Sequence, residues 1–564
     1  MWRQCIDKSY NSKFVQLNKI HPIRMGTFYI LFIAVISAVV VHGTFDMKKQ
    51  NIVFIMADDL GWNDVSFHGT DQILTPNIDM LGYSGVALER YYSHCICTPS
   101  RSAFLTGKYA HVTGMQGYPL TNSEDRGLPI TEKILPQYLK ELGYATHLVG
   151  KWHVGGSRGE YLPLKRGFDT HFGHMGGFVD YYEYTLEEKL SNDLVSGLNL
   201  YRNETPAWDV EGYLTDLYNK EAISIIKSHD ESTPLFLMLA HMAPHGSNDG
   251  ALLQAPPQDV RTMRHVESPE RRIFAAMVKK LDDSVGDVVE ALEEKGILNN
   301  TIIVFVSDNG AMTSGNSVNY GSNWPLRGLK MSPFEGGIRL AGVMWTPLPK
   351  ANHLYRGYVH VVDWLPTLLN AVGAELPNNI DGISLWDDII INKESSRKEM
   401  FEIDDMFGFA SIISNDFKLV TGNVTPEYSD YQGGGSLLRI IGKPPSYFDA
   451  IKKSKAYKSL EKIDRLKDTE YYKNVRNTLK VNCDHIDESQ ICYTKSDKLC
   501  LFNIKDDPCE TKDLSALFPD LVESMLLRLT EEKKRLIPRS PLYRNPKSNP
   551  AFFNYTWTTF ADHL

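Results

Sequence analysis

Two apolar runs in this chain, NIVFIMA and TIIVFVS, stop abruptly at the oxygen-rich pairs Asp58-Asp59 and Asp308-Asn309. Carboxylates and an amide carbonyl are hard donors, so side by side these pairs would hold Ca²⁺ or Mg²⁺ rather than zinc. Taken singly, DNG is an ordinary Asx-Gly turn and DDLG an ordinary helix N-cap. Their shared placement beyond strand-like runs argues for a cage. Two further runs end in bases: ATHLV leads through Gly150 to Lys151 and His153, and PLFLMLA leads to His241 and His245. Lys330 follows in LRGLKMSPFEGG. A lone histidine is more often a packed or solvated residue than a catalyst. Ligands, cations and proton carriers all rising beyond strand ends are what a catalytic cleft needs.

Cys97 opens the stretch CTPSRSAFLTG, just after Cys95. By residue type alone it could be a disulfide partner, a metal ligand, a thiol nucleophile or the precursor of something made from it. The chain has seven cysteines, with Cys5 ahead of the apolar N-terminal segment. Cys483, Cys492, Cys500 and Cys509 read as two disulfides in an oxidising compartment. Three connectivities are open, and pairing of neighbours, Cys483 with Cys492 and Cys500 with Cys509, is the expected one. A Cys95–Cys97 bridge would be strained, which leaves both thiols over.

The elements that must position these groups alternate in type. Between the strand-like runs lie helical patterns such as ILPQYLKELG and AAMVKKLDDSVGDVVEALEEKG, the second with apolar residues at helical spacing and a glycine stop. Alternation of this kind predicts an α/β fold with a large, mostly parallel sheet sandwiched by helices, whose ligands gather beyond the carboxyl ends of the strands. After about Met400 the pattern shifts to shorter β segments, DFKLVTG and KLCLFNIKDDP, predicting a smaller C-terminal α+β domain with an antiparallel sheet. The expected organisation is a catalytic domain over 47–400, a second domain over 401–540 and a tail over 541–564. The lysine-rich IKKSKAYKSLEKIDRLKD reads as a solvated helix with interleaved acids, with a polyanion-docking surface as the alternative.

The chain has 564 residues, a net charge of −9 and a sequence pI near 6.0. That balance argues against a nucleic-acid binder. An anionic substrate would need positive charge concentrated locally in a cleft. The apolar run Phe28–Val41 follows a basic flank and precedes His42-Gly43, which reads as a secretory signal over 1–43, with Met25 as a possible internal start. At 14 residues it is short for a membrane span, and no stable span is expected. Sequons at Asn203, Asn299, Asn423 and Asn554 suit the secretory pathway.

CTPSRSAFLTG fits the signature Cys-x-Pro-Ser-Arg followed by Leu-Thr-Gly, and MADDLGW, GKWH and SDNG fall in matching order. On these motifs the chain resembles the sulfatase family, from about Asn51 to Asp513. SNWPLRGLKMSPFEGG makes it most similar to the arylsulfatase B branch, the N-acetylgalactosamine-4-sulfatases. The resemblance implies an alkaline-phosphatase-like fold, and it implies that Cys97 is converted to formylglycine by the formylglycine-generating enzyme through Cys97, Pro99 and Arg101. It further implies one Ca²⁺ bound by Asp58, Asp59, Asp308, Asn309 and the modified Cys97. By the same resemblance Arg101 and Lys151 hold the nucleophile and the sulfate oxygens, His153 is the base, and His245 and Lys330 stand at the leaving oxygen. The implied substrate is a sulfated carbohydrate, the 4-sulfate of N-acetylgalactosamine in dermatan or chondroitin sulfate, in a lysosomal or extracellular setting. A small sulfated metabolite or aryl sulfate, a phosphoesterase of the wider alkaline-phosphatase superfamily, and a catalytically silent carbohydrate binder are the competing readings. The chain departs from the branch after the signature, where YPLTNSEDRGLPI carries no cysteines, and in its extra lysine-rich stretch. Cys95 is left as an unpaired thiol without a role.

Overall fold

The structure is a computed structural model and describes residues 49–564, apart from 316, 349, 351–352, 484–485, 488, 490 and 497. The expected signal segment and Cys5 lie outside the described residues. Within them, Lys49–Leu564 forms one compact unit.

In chain order the strands are β1 (Asn51–Ala57), β2 (Val86–Tyr92), β3 (Ala145–Gly150) and β4 (Thr170–Gly173). A ribbon follows, β5 (Thr185–Leu190) with β6 (Asp193–Leu198), then the short β7 (Tyr201–Arg202) and β8 (Thr205–Pro206). After these come β9 (Leu235–Ala240), β10 (Thr301–Ser307), β11 (Arg339–Leu340), β12 (Gly342–Trp345) and β13 (His353–His360). The large sheet runs β11-β2-β12-β10-β1-β9-β3-β4-β7-β8, with β13 added beside β2. Its centre, β10-β1-β9-β3-β4, is parallel. The flanks β12, β2, β11, β7 and β8 join antiparallel through short pairings, so the sheet is mixed, with its long central strands parallel as expected. The short antiparallel strands were invisible to a reading based on long apolar runs.

Every residue of β1, β9 and β10 is buried, because helices cover both faces. The period of two sorts the side chains. Val53, Ile55, Leu237, Leu239, Ile303 and Phe305 pack beneath the helices Leu214–Ser228 and Pro269–Glu294. Ile52, Phe54, Met238, Ile302 and Val304 face the helices Cys97–Thr106 and Trp364–Ala371. The parallel register then aligns the strand ends: Ala57 pairs with Ser307, and Gly150 with Ala240. Asp58, Asp308, Lys151 and His241 are therefore the first residues past four adjacent strands. Gly150 is required at its position, since its φ is +105° and a Cβ there would lie 2.0 Å from the Ala240 carbonyl oxygen.

The expected C-terminal sheet is present as β14 (Glu399–Asp404), β15 (Phe409–Ser414), β16 (Phe417–Gly422) and β17 (Cys500–Asn503), all antiparallel. Between β16 and β17 the lysine-rich segment leaves this sheet. Its helices Tyr447–Lys453 and Lys455–Lys462 pack on Pro76–Ser84, and the second also lies on Pro269–Glu294. Ala456, Ser459 and Leu460 are buried there, while Lys455 pairs with Asp287 and Glu290 and Lys462 with Glu293. The segment is thus a packed helical layer, not a freely solvated helix. The last residues also return to the large sheet's side: the N–H of Leu198 donates to Tyr555 O, and that of Ala561 to Ser157 O.

The disulfides are Cys483–Cys509 and Cys492–Cys500, not the neighbour pairs expected from sequence. The antiparallel bridge Lys495–Lys498 folds the intervening chain into a tight hairpin that sets Cys492 opposite Cys500. Cys483 is left to meet Cys509. Non-reducing peptide mapping should recover these two links and neither neighbour pair. By loop closure over separations of 26 and 8 residues, opening them should cost about 3.5 and about 2.5 kcal/mol respectively, read from denaturant midpoints of Cys→Ser pairs.

Candidate active site

The four strand ends place a charge cluster on one side of the sheet, and the helix Cys97–Thr106 points its first residue into it. Ile96 caps that helix in an extended conformation and Gly107 closes it with φ +66°. Cys97 Sγ lies 3.4 Å from Asp58 Oδ1 and 3.9 Å from Asp59 Oδ1. Among the described residues, ligand atoms of Asp58, Asp59, Cys97 and His245 all lie within 4.8 Å of one another. Asp59 and His153 both sit at φ 60°, the left-handed region that non-glycine residues seldom occupy.

Each carboxylate is matched to a cation. Lys151 Nζ donates to Asp58 Oδ2 at 2.7 Å, and Lys330 Nζ to Asp59 Oδ2 at 2.8 Å. Arg101 gives Nε and Nη2 to Asp308 Oδ2 at 3.1 and 2.9 Å. Asp308 Oδ1 accepts the Asp59 N–H at 3.2 Å, tying two strand ends together. Burial alone would raise the Asp58 carboxyl, but Lys151, His245 and Arg101 outweigh it and hold the group well below its ordinary value. Burial likewise acts to lower the Lys330 ammonium, and Asp59 reverses this to a net rise.

The predicted cation ligands fit a hard divalent ion. Asn309 Nδ2 donates to Asp59 Oδ1 at 2.7 Å, while Asn309 Oδ1 is buried without any hydrogen-bond partner. A buried carbonyl oxygen is rarely left so unless a ligand is meant for it. Asp58 and Asp59 share one cluster with Cys97 and His245, while Asp308 and Asn309 adjoin it through the Asp59 N–H and the Asp59 carboxylate. Carboxylates with an amide carbonyl are a donor set suited to Ca²⁺.

Both candidate proton carriers have defined ring orientations. His153 Nε2 lies 2.9 Å from the Leu120 carbonyl, which can only accept, so Nε2 carries the hydrogen and Nδ1 the lone pair. That Nδ1 is buried and unpartnered. Burial, with Lys151 and Arg101 adding to it, pushes the His153 pKa well down and keeps the ring neutral. His245 Nδ1 meets the Gly246 carbonyl at 2.5 Å, so Nε2 is the free acceptor in the neutral ring. Lys330 Nζ reaches that Nε2 at 3.2 Å. His241, by contrast, turns to Ser284 at 3.0 Å on the helix Pro269–Glu294.

The structure therefore brings together Asp58, Asp59, Cys97, Arg101, Lys151, His245, Asp308, Asn309 and Lys330, with His153 on the adjoining loop. Sequence reading missed Phe178, whose ring stacks on His245 at 5.7 Å with 12° between planes. GGFVDYY carries no signal that would mark it. It also missed the Leu120 carbonyl, since a backbone group leaves no trace in residue type. Among the sequons, Asn299, Asn423 and Asn554 are exposed, while Asn203 is half-buried and accepts the His171 N–H at 3.0 Å. Among the described residues the free cysteines are Cys95 and Cys97, and no helix is long and apolar enough to cross a membrane.

The Sulfatase family model matches residues 50–374. Arylsulfatase J of Mus musculus is 35% identical over 539 residues, covering 91% of this chain and 81% of that protein. N-acetylgalactosamine-6-sulfatase of Rattus norvegicus is 31% identical over 389 residues, 63% of this chain and 68% of its own. The crystal structure of Ps i-CgsB superimposes with a TM-score of 0.67 at 27% identity, covering 90% of this chain and 97% of that one. The crystal structure of the PsFucS1 sulfatase from Pseudoalteromonas sp. shares the fold, with a TM-score of 0.60 over 91% of this chain and 95% of that one at 22% identity. A strand-end charge cluster built around Cys-x-Pro-Ser-Arg, matched across most of the chain, has one consistent explanation: the chain belongs to the sulfatase family, whose members hydrolyse sulfate esters.

Proposed function

We propose that this sulfatase removes sulfate from a carbohydrate, with Cys97 converted to formylglycine and Asp58, Asp59, Asp308 and Asn309 holding Ca²⁺. The observation that carries the reading is Cys97 Sγ, 3.4 Å from Asp58 Oδ1 and within the same cluster as the unpartnered carbonyl of Asn309. When bound, the aldehyde supplies a paired-hydroxyl carbon as nucleophile, and the cation supplies charge that lowers a hydroxyl pKa.

The chain's own side chains supply the rest. Three fixed cations, Arg101, Lys151 and Lys330, face three carboxylates, so a bound dication leaves the cluster net positive, the sign that an anionic ester requires. His153 Nδ1 is a neutral acceptor suited to removing a proton from a hydroxyl at position 97. Lys330 Nζ and His245 Nε2 hold a proton between them for the leaving oxygen, and Phe178 fixes the plane of the His245 ring.

For the substrate we infer the 4-sulfate of N-acetylgalactosamine. The arylsulfatase B-like wording SNWPLRGLKMSPFEGG supports it, and Lys330 lies within that stretch. Relatives at 31% identity are named N-acetylgalactosamine-6-sulfatase, and Ps i-CgsB has been solved with a neocarrahexaose, so a sulfated sugar is the common theme. Passage through the secretory pathway, to the lysosome or outside, would supply the formylglycine-generating enzyme as a maturation partner and glycans at the four sequons.

Three outcomes test this. In protein from a eukaryotic secretory host, mass spectrometry of the tryptic peptide Tyr91–Arg101 should show an aldehyde at position 97; an intact thiol in a fully active preparation defeats the reading. His245→Ala should lower kcat by roughly 10²–10⁴, the range for a lost general acid, while His241→Gln stays near the parent rate; the reverse order moves the role to His241. Against a panel of 4-sulfated and 6-sulfated galactosaminoglycan oligosaccharides beside a small aryl sulfate, release is expected first from the 4-sulfate. Turnover of the 6-sulfate alone would reassign the position, and of the aryl ester alone the substrate class.

A further inference from the structure

One buried carboxylate in the C-terminal sheet forms no ion pair with lysine or arginine among the described residues, yet reaches the segment that carries Cys97. Strand alternation places Met400, Glu402 and Asp404 of β14 on one face, with Phe401 and Ile403 on the other. Met400 packs with Cys95 and Ile96, so that face is turned toward the start of the Cys97 helix. Glu402 is 5% exposed and uses both oxygens there. Its Oε2 lies 2.6 Å from His94 Nδ1, and its Oε1 accepts from Cys95 Sγ at 3.4 Å. His94 Nε2 in turn accepts the Ala110 N–H at 3.3 Å, which places the ring hydrogen on Nδ1 and makes it a donor to Glu402. Two residues of one short segment therefore give their only polar side-chain hydrogens to one carboxylate.

The same segment is gripped by the active site. The Cys95 carbonyl accepts the Met331 N–H at 2.8 Å, and Met331 directly follows Lys330. Ser100 Oγ, one turn into the Cys97 helix, donates to the His94 carbonyl at 3.1 Å. Cys95 is thus the junction of three strings: to Cys97 along the chain, to Lys330 through a backbone bond, and to β14 through its thiol. Two residues further along that face, Asp404 Oδ2 takes the Gly117 N–H at 2.9 Å, holding the chain beyond the same helix.

We propose that Glu402 is a positioning residue for Cys97 and Lys330, acting through the paired donors His94 and Cys95. The inference rests on the sulfatase reading of Cys97. It gives the unpaired thiol a task that requires neither oxidation nor a metal: Cys95 is a hydrogen-bond donor. It also gives the C-terminal sheet a part in catalysis, because the nucleophile and the proton carrier must keep their separation to a fraction of an ångström. Glutamine at 402 keeps the shape but offers one acceptor where two are needed, and directs an N–H at a donor.

The test compares full-length glycosylated variants by kcat and KM on a small aryl sulfate, normalised to the aldehyde content of the Tyr91–Arg101 peptide. Glu402→Gln should lower kcat roughly 10- to 100-fold, the usual scale for losing an outer support of a reactive centre, with KM within about twofold. Cys95→Ser restores a donor of the same connectivity and should retain most of the parent kcat, whereas Cys95→Ala should fall with Glu402→Gln. Serine and alanine differ little in volume, so a packing role would move both alike. Equal rates for Cys95→Ser and Cys95→Ala overturn the proposal, as does a Glu402→Gln enzyme at parent kcat. Should Glu402→Gln fail to fold, the Cys95 pair decides alone. A parent enzyme that works with an intact thiol at position 97 would instead sink the formylglycine reading of Cys97, a result distinct from either.

Discussion

Three carboxylates and three cations share a pocket from which water is almost wholly excluded, and everything around them answers to that fact. Asp58, Asp308, Arg101 and Lys151 have no measurable exposure, and Asp59 has 1%. Taking such groups out of water costs several kcal/mol per ion unless each meets an opposite charge with good geometry. No single element can meet that demand. Asp58 and Asp59 come from the end of β1, Asp308 from β10, Lys151 from β3, and Arg101 from a helix on the opposite face of the sheet. The cluster is satisfied only when all of these are in register, which makes the central parallel strands and their doubly covered cores a precondition of the chemistry.

The same arrangement sets the direction of reactivity. With charges cancelled pairwise, the groups of this cluster left unsatisfied are the Asn309 carbonyl and the Nδ1 of His153. An unpaired polar atom in a dry site is costly, and these two are where the proposed cation and the proposed proton transfer would be accommodated. The left-handed backbone at Asp59 and His153 adds to the picture, since strain of that kind persists where surrounding bonds over-determine it.

Beyond the core, the C-terminal part wraps the catalytic half rather than trailing from it. Lys418 of β16 lies between Glu335 and Glu510 with all three fully buried, while Lys455 and Lys462 tie the inserted helices to Pro269–Glu294. These contacts are non-local, and they explain why a lysine-rich stretch that looks solvated in one dimension packs in three.

Residue type and local pattern were sufficient for the long buried strands, for short β segments after Met400, and for a shortlist of oxygen donors, cations and bases at strand ends. They were sufficient because burial on both faces demands continuous apolar runs, and because chemistry at a strand end leaves polar residues exactly where such a run stops. Only the tertiary structure decided the antiparallel flanks, the cysteine pairing, the placement of His245 rather than His241 in the charge cluster, the stacking of Phe178 and the reach of Glu402 to Cys95. Each of those depends on which distant segments meet and on where a side chain points after the backbone turns. The chain turns sharply between His241 and His245, so two histidines of identical type face a helix and the charge cluster respectively. A string of residues holds the inventory of possible partners; the register of the sheet and the packing of the helices choose among them.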